Sequence, residues 1–103
     1  MKSHRFVYVW RYVVDSGRRS EFHDNYGPNG TWARLFSRES GYIRTELMRD
    51  DNDENVYLTV DYWVSKADRD LFRKRYAREF DELDSACEAF TLEEEFIGDF
   101  STI

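Results

Sequence analysis

The feature that most constrains the fold of this chain is its first strand-like run, RFVYVWRYVV, at residues 5–14. β-Branched and aromatic side chains fill both of its alternating sets of positions, which predicts a strand covered on both faces. The chain has 103 residues, so we expect a single domain over residues 1–103 with a modest core that would gain from oligomerisation.

The next segment has helical periodicity with a break in its middle. Ser16 is the predicted N-cap of a helix that reaches about Tyr26. Glycine followed by proline at 27–28 then ends that helix. A second short helix is predicted from an apolar stripe with spacings of three and four residues, formed by Trp32, Leu35 and Phe36.

The second half of the chain predicts a hairpin, a long helix and a last strand. Strands at residues 41–49 and 56–64 are joined by the polar run DDNDEN. Ser65 and Asp68 have the spacing of a capping box. The helix that follows has one continuous apolar face with a bend near its middle, and the final strand is expected near residues 94–100. That apolar face consists of Phe72, Tyr76, Phe80, Leu83, Cys87 and Phe90.

The resulting order, β-α-β-β-α-β, predicts an α+β, ferredoxin-like fold with a four-stranded antiparallel sheet. Both helical units are expected on one face of that sheet. The other face would expose a large apolar patch if it stayed wet. A two-fold homodimer that pairs two sheets face to face removes that patch from water.

Composition and charge exclude several classes of protein. The formal net charge of −6 has the wrong sign for phosphate binding, so we expect no nucleic-acid partner and no membrane surface. Cys87 is the single cysteine, which suits a reducing compartment, so we expect a cytoplasmic protein. Aromatic residues make up 17% of the chain, which indicates a large aromatic core or an aromatic-lined cavity.

The stretch NYGPNGTWARLF at residues 25–36 contains two glycines and the only proline. It does not match a phosphate-binding loop, because Gly30 is followed by Thr31 and not by lysine, and GxGxxG is absent. Two interpretations remain. The stretch is a plain break between helices with a core tryptophan, or Asn25, Tyr26 and Trp32 line the mouth of a cavity beneath the helix pair.

Metal-binding patterns are weak in this sequence. DDNDEN begins like a calcium loop, but Val56 stands where that loop needs glycine and a strand follows. His4 and His23 are the only histidines and have no metal-ligand spacing. We therefore expect no metal and no cofactor, and we interpret Cys87 as a small buried hydrophobe.

The stretch YLTVDYWVS at residues 57–65 is the most informative for function. Strand alternation puts Asp61 on the same face as Tyr57 and Trp63. A carboxylate on a covered face is costly unless it is paired. Three interpretations of Asp61 remain. Asp61 forms an ion pair with Arg11 or Arg44, or it lies in a wet dimer interface. In the third, it acts as a base with a raised pKa in an aromatic pocket.

Four segments resemble the antibiotic biosynthesis monooxygenase family, which belongs to the dimeric α/β-barrel proteins. They are EFHDNYGPNGTWARLF, GYIRTELMRD, YLTVDYWVSKADRDLF and ACEAFTLEEEFIG, and the resemblance covers nearly the whole chain. It implies the same sheet-to-sheet dimer. Members include cofactor-independent oxygenases of polyketide phenols and quinones, haem-degrading oxygenases, isomerases and proteins with no known reaction.

The resemblance also bears on the ligand. Trp63 matches a strand-three tryptophan that faces the ligand in haem-degrading members, which also use a helix histidine and a first-strand asparagine. Neither occurs in the corresponding segments here, so haem degradation is disfavoured. The cofactor-independent oxygenases have Asn, Tyr and Trp side chains around their cavity, which Asn25, Tyr26, Trp32 and Trp63 could supply.

These observations favour a cofactor-independent monooxygenase that acts on an aromatic or polyketide-like phenol or quinol in a pocket between helices and sheet. Asp61 is the candidate base or proton relay, with Asn25 and Tyr26 as hydrogen-bond donors. Four further side chains are the candidate substrate contacts: Trp32, Trp63, Phe36 and Tyr57. The alternative is a non-catalytic homodimer of the same fold that binds a small aromatic ligand or is purely structural.

Overall fold

The computed structural model describes residues 4–103, so the first three residues of the predicted domain lie outside the described part. The elements follow the predicted order. They are β1 (Phe6–Val14), α1 (Arg19–Tyr26), α2 (Thr31–Phe36), β2 (Tyr42–Arg49), β3 (Val56–Trp63), α3 (Lys66–Arg75), α4 (Ala77–Cys87) and β4 (Thr91–Ser101). Short 3₁₀ turns at Ser16–Arg18 and Glu88–Phe90 precede α1 and β4.

The four strands form one sheet in the order β2-β3-β1-β4. All three pairings between neighbouring strands are antiparallel. β1 and β3 are therefore the central strands, and β2 and β4 are the edges. This arrangement confirms the predicted α+β, ferredoxin-like fold.

The helices cover the sheet face that carries Asp61. On β3, the residues on this side are all buried, namely Tyr57, Thr59, Asp61 and Trp63. On the opposite side of β3, Leu58 and Tyr62 are half-buried, whereas Val56 and Val60 are buried. The sequence left open which side of this strand meets the helices, and the structure shows that it is the side with the aspartate.

An irregularity in β2 changes which of its side chains share a face. Strict alternation along the strand would put Tyr42 and Arg44 on one side and Thr45 on the other. The register shifts between Tyr42 and Arg44, so Tyr42 pairs with Trp63 and Thr45 pairs with Asp61. Because of this bulge, Tyr42 and Thr45 both lie on the helix-covered side.

Three details of the helices and of the last strand differ from the sequence prediction or refine it. Asp15, not Ser16, caps the first turn, because its carboxylate accepts a hydrogen bond from the Gly17 amide. The predicted bend of the long helix occurs at Tyr76, between α3 and α4. β4 begins at Thr91, three residues earlier than expected, because Thr91 already pairs with Val14.

Aromatic rings make up most of the core between the helices and the sheet. Phe22 and Tyr26 stack with ring centroids 4.3 Å apart, and Trp63 lies edge-on to Phe36 at 5.7 Å. Such contacts add to the burial of apolar area and fix ring orientation. The buried cluster consists of Phe6, Tyr8, Tyr12, Val14, Phe22, Tyr26, Trp32, Leu35, Phe36, Tyr57, Trp63, Phe72 and Cys87.

The close approach of backbone at Gly30 generates a testable prediction. A Cβ atom at Gly30 would lie 2.6 Å from the carbonyl oxygen of Asn25 and 2.9 Å from that of Asp24. We expect Gly30→Ala to lower the free energy of unfolding by about 1–3 kcal/mol, because α1 and α2 must separate. Urea denaturation measures the change.

The matched control is Gly17→Ala, where the nearest atom would lie 3.5 Å away. We expect that variant to be neutral or slightly more stable than the parent protein. Equal stability of the two variants would contradict the interpretation that the α1–α2 turn depends on this close approach.

Candidate active site

Asp61 lies in the middle of a central strand beneath the helices, with 4% of its surface exposed. Its neighbours across the sheet are Thr45 on β2 and Tyr8 on β1. The Thr45 hydroxyl donates a hydrogen bond to Asp61 Oδ1 over 2.5 Å. A carboxyl group in this position is therefore removed from water but keeps one strong hydrogen bond.

Neither arginine that could have neutralised Asp61 reaches it. Arg11 is 4.0 Å from the carboxylate of Glu95, and Arg44 lies over the ring of Tyr62 at 3.8 Å. Burial raises the pKa of Asp61 to about 7, and the hydrogen bond from Thr45 acts in the opposite direction by stabilising the carboxylate. The group can therefore take up and release a proton near neutral pH.

Asp61 borders a partly open cavity between the sheet and the helices. Its volume is about 50 Å³, which holds a few water molecules and is well below the roughly 300 Å³ of the smallest typical ligand pockets. The cavity wall is mainly aromatic with a few polar groups. It is formed by Tyr8, Trp10, Tyr12, Tyr26, Trp32, Phe36, Thr45, Thr59, Asp61, Phe80, Asp84 and Glu94.

Three tyrosines of the cavity wall carry hydroxyl groups that stay protonated. Burial is the largest cause that raises the pKa values of Tyr8, Tyr12 and Tyr26 well above that of a free tyrosine. The charge of Asp61 raises those of Tyr8 and Tyr12 further. These hydroxyls can therefore donate hydrogen bonds to an anion but cannot serve as bases near neutral pH.

The break between α1 and α2 positions two residues of the cavity wall. The Gly27 amide donates to the His23 carbonyl, and the Gly30 amide donates to the Gly27 carbonyl, so the chain reverses within four residues. As a result the rings of Tyr26 and Trp32 lie 6.1 Å apart. The stretch is both a helix break and one wall of a cavity.

Trp32 and Trp63 each bury an indole N–H group that has no hydrogen-bond partner among the described residues. The Trp32 indole is close enough to the Tyr26 hydroxyl to lower the pKa of that tyrosine, but the two groups make no hydrogen bond of good geometry. The Trp32 ring lines the cavity, and its buried N–H group lies close to the Tyr26 hydroxyl and the Cys87 thiol.

The sequence named seven site residues, and the structure brings four of them together. Asp61, Tyr26, Trp32 and Phe36 all line the cavity. The other three lie away from the cavity wall. Asn25 donates its side-chain amide to the Glu21 carbonyl on its own helix, the Tyr57 hydroxyl is 2.8 Å from His23 Nε2, and Trp63 packs between other aromatic rings.

Several cavity residues were not singled out from the sequence. Tyr8, Trp10 and Tyr12 share one side of β1, and Thr45 and Thr59 lie beside Asp61. The sequence did indicate the two tyrosines, because aromatic residues occupy the alternate positions 8, 10 and 12 of the first strand and therefore share one face. The sequence did not indicate Thr45, because the bulge in β2 determines which face of the strand this residue occupies.

Residues 4–103 contain neither of two other kinds of functional feature. No group of three or more His, Cys, Asp or Glu side chains there could hold a metal ion. No helix in the same range is long and apolar enough to cross a membrane. Cys87 is buried, and burial raises the pKa of its thiol, so it behaves as a small core residue.

The fold and the cavity together define a small α+β protein with a site between helices and sheet. The family model of the antibiotic biosynthesis monooxygenases matches residues 5–83. The chain therefore belongs to the antibiotic biosynthesis monooxygenase family. A search of curated proteins gives no significant match.

Solved structures agree with this assignment at the level of the fold. SnoaB, a cofactor-independent oxygenase from Streptomyces nogalater, aligns with a TM-score of 0.69 and 23% identity over 96% of this chain and 93% of that chain. A Bordetella bronchiseptica protein, described as a candidate antibiotic biosynthesis monooxygenase, aligns with a TM-score of 0.73 and 17% identity over 96% and 97% of the two chains.

The raised pKa of Asp61 predicts how stability depends on pH. The folded protein keeps a proton on Asp61 up to about pH 7, whereas the unfolded chain releases it near about pH 4. The folded state thus binds more protons between these values, so this group lowers the free energy of unfolding as the pH rises through that window.

Asp61→Asn removes this titration. We compare the free energy of unfolding of the variant with that of the parent at each pH. The difference in favour of the variant should be larger at pH 8 than at pH 5, by roughly 2–4 kcal/mol. Urea denaturation at both pH values and at one protein concentration measures the difference. Asp81→Asn, at an exposed position on α4, is the control. A pH-independent effect of Asp61→Asn would contradict a raised pKa.

Proposed function

We propose that this protein is a cofactor-independent monooxygenase that oxidises an aromatic, polyketide-like phenol or quinol in the cavity between the helices and the sheet. The single observation that carries the proposal is the Asp61 carboxyl group, buried on the cavity wall with a pKa of about 7. A general base is most effective when its pKa lies near the working pH.

The proposed reaction uses the substrate as its own reductant. Asp61 takes a phenolic proton, and the electron-rich anion transfers one electron to O2. The substrate radical and superoxide then combine to form a C–O bond, and Asp61 returns its proton to the resulting peroxide. Hydroxide and the proton of the same ring carbon then leave together as water, and that carbon becomes a carbonyl group. In total, the phenolic O–H, one ring C–H and O2 become two carbonyl groups and H2O.

The other candidate residues have roles around that anion. Tyr26 would donate a hydrogen bond to it, and Trp32 and Phe36 would form the flat walls. Asn25 would have to release the Glu21 carbonyl before it could donate to a ligand. Trp63 and Tyr57 support the site from behind, since they pack against Phe36 and Phe22.

Substrate binding requires the cavity to widen, because about 50 Å³ does not admit a ring system. Movement of Phe80, which lines the cavity, would widen it. Phe80 is half-buried, lies edge-on to Trp32 at 4.9 Å and is covered on its outer side by the Arg73 guanidinium at 4.2 Å. Similarity to SnoaB, which is described as a cofactor-independent oxygenase, supports this proposal at the level of the fold.

Loss of the base gives the direct test. We expect Asp61→Asn to lower oxygen consumption on a panel of quinols and anthrones by about 100- to 10,000-fold, because the amide cannot accept the phenolic proton. In the parent protein the rate should rise with pH through about 7, as Asp61 ionises. An oxygen electrode measures both effects.

Asp81→Asn provides the control for this test, because it removes an equivalent charge from an exposed position on α4. Its turnover should equal that of the parent protein. Full oxygen consumption by a folded Asp61→Asn variant would remove Asp61 from the mechanism.

The second candidate is a non-catalytic homodimer that binds a small ligand or is purely structural. The small volume of the cavity favours it. Binding of a quinol with no oxygen consumption, in parent and Asp61→Asn protein alike, would support this candidate over the monooxygenase. A reducing compartment such as the cytoplasm suits either candidate, given the free thiol of Cys87.

We further propose that the protein is a homodimer that pairs the helix-free faces of two sheets. This face carries apolar side chains on both central strands, with Val7 and Val9 on β1 beside Val60 on β3. Phe100 and Met48 extend it onto the edge strands and are 48% and 44% exposed. A second copy would cover an apolar surface that water otherwise contacts.

A charge in the middle of this face should separate the subunits. We expect Val9→Glu to be a monomer at concentrations where the parent has twice the mass of one chain, because the interface would bury the new carboxylate. Light scattering after gel filtration measures the mass. Leu71→Glu, at an exposed site on α3, should stay dimeric. A dimeric Val9→Glu variant would contradict this interface.

A further inference from the structure

Thr45 lies between the cavity that Asp61 borders and a second, wider hollow at the edge of the sheet. This outer hollow, which we call the β2 groove, has a volume of about 530 Å³ and lies between β2 and the α1–α2 region. Pro28, Arg34, Tyr42 and Thr45 are among the residues that line it. Thr45 is therefore a wall residue of both spaces, although only 4% of its surface is exposed.

A chain of short hydrogen bonds crosses this wall. Asp61 Oδ1 accepts from Thr45 Oγ1 at 2.5 Å, and Thr45 Oγ1 is 2.7 Å from the Tyr42 hydroxyl. Tyr42 is half-buried and borders the β2 groove. Three oxygen-bearing side chains thus form a continuous hydrogen-bonded chain from a buried acid to a residue that borders the surface groove.

The direction of these hydrogen bonds follows from the charge on Asp61. When the carboxylate is ionised, Thr45 must give it its only proton, so the Tyr42 hydroxyl donates to Thr45. When Asp61 is protonated, the two hydroxyl groups can reverse and Tyr42 can donate toward the groove. The pKa of Tyr42 is raised, mainly by burial, so its hydroxyl stays neutral in both states.

The side of Asp61 that faces the cavity offers no comparable route once a ligand is bound. The titratable groups there are the hydroxyls of Tyr8 and Tyr12 from β1 and of Tyr26 from α1, with Asp84 of α4 and Glu94 of β4 further out. Arg69 and Arg73 of α3 influence Tyr8. A ring system in the cavity would lie between Asp61 and water on that side.

We propose that Thr45 and Tyr42 form a proton relay that connects Asp61 to solvent in the β2 groove while the cavity is occupied. Both are positioning residues, because they act through Asp61 and not on the substrate. The role of this relay in turnover rests on the proposed monooxygenase function. The relay itself could exist without that function.

Each transfer through the relay moves one proton and leaves the two hydroxyl groups intact. To reload Asp61, the Thr45 hydroxyl gives its proton to the carboxylate and takes the proton of the Tyr42 hydroxyl. Tyr42 then takes a proton from a water molecule in the groove. The reverse sequence delivers the proton of Asp61 to solvent.

The test follows the Asp61 carboxyl carbon by NMR in the intact protein, without any substrate. A titration gives its pKa, and relaxation dispersion near that pKa gives its rate of proton exchange with solvent. The variants are Tyr42→Phe, Thr45→Val and Thr45→Ser, with Tyr76→Phe as the matched tyrosine control. Tyr76 is half-buried and packs against Phe72, away from Asp61.

The relay predicts a different result for each variant. Tyr42→Phe should slow exchange by about tenfold or more, because the outer carrier is lost. Thr45→Val should slow exchange and also raise the pKa of Asp61 by about one unit, since the carboxylate loses its hydrogen bond. Thr45→Ser, which keeps the hydroxyl, should restore both values, and Tyr76→Phe should change neither.

Parent-like exchange in Tyr42→Phe would overturn the relay, because protons would then reach Asp61 from another side. Should Thr45→Val fail to fold, Tyr42→Phe and Thr45→Ser still decide the question. Slow exchange in Tyr42→Phe without any oxygen consumption by the parent protein would keep the relay and reject the monooxygenase. Oxygen consumption by the parent protein, together with parent-like exchange in Tyr42→Phe, would support the monooxygenase and reject the relay.

Discussion

The contact between the Thr45 hydroxyl and the Asp61 carboxyl group lies at the centre of an interior that is otherwise mainly aromatic. Burial of an ionised carboxylate without a cation is unfavourable, so the group responds by holding its proton to a higher pH. The hydrogen bond from Thr45 lowers the pKa of Asp61 in part, because it stabilises the carboxylate without neutralising its charge. The result is a carboxyl group in an apolar interior whose pKa is about 7.

Two local departures from regular structure make this arrangement possible. The helix break at residues 27–30 lets α1 and α2 approach each other closely, which brings Tyr26 and Trp32 to one side of the cavity. The bulge in β2 puts Tyr42 and Thr45 on the same side of an edge strand. Both features direct polar groups inward, whereas regular repeats would send some of them to solvent.

The order of the elements could be predicted because helical and strand periodicities alternate clearly along the chain. The choice of face on β3 could not be predicted, because Leu58 and Tyr62 on one side are about as apolar as Tyr57 and Trp63 on the other. Asp61 was recognisable as a costly residue whichever side was covered. The contribution of Thr45 could not be predicted, since one extra residue in an edge strand leaves no mark on the apolar pattern.

The outer margin of the cavity carries two carboxyl groups, Asp84 of α4 and Glu94 of β4. Partial burial and the neighbouring negative charge of Asp84 raise the pKa of Glu94. Coulomb repulsion by this acidic rim disfavours the entry of anions, because they would approach like charges near a low-dielectric interior. Under the proposed function, an acidic substrate would therefore pass these two carboxyl groups most readily in its uncharged form and would ionise only inside the cavity.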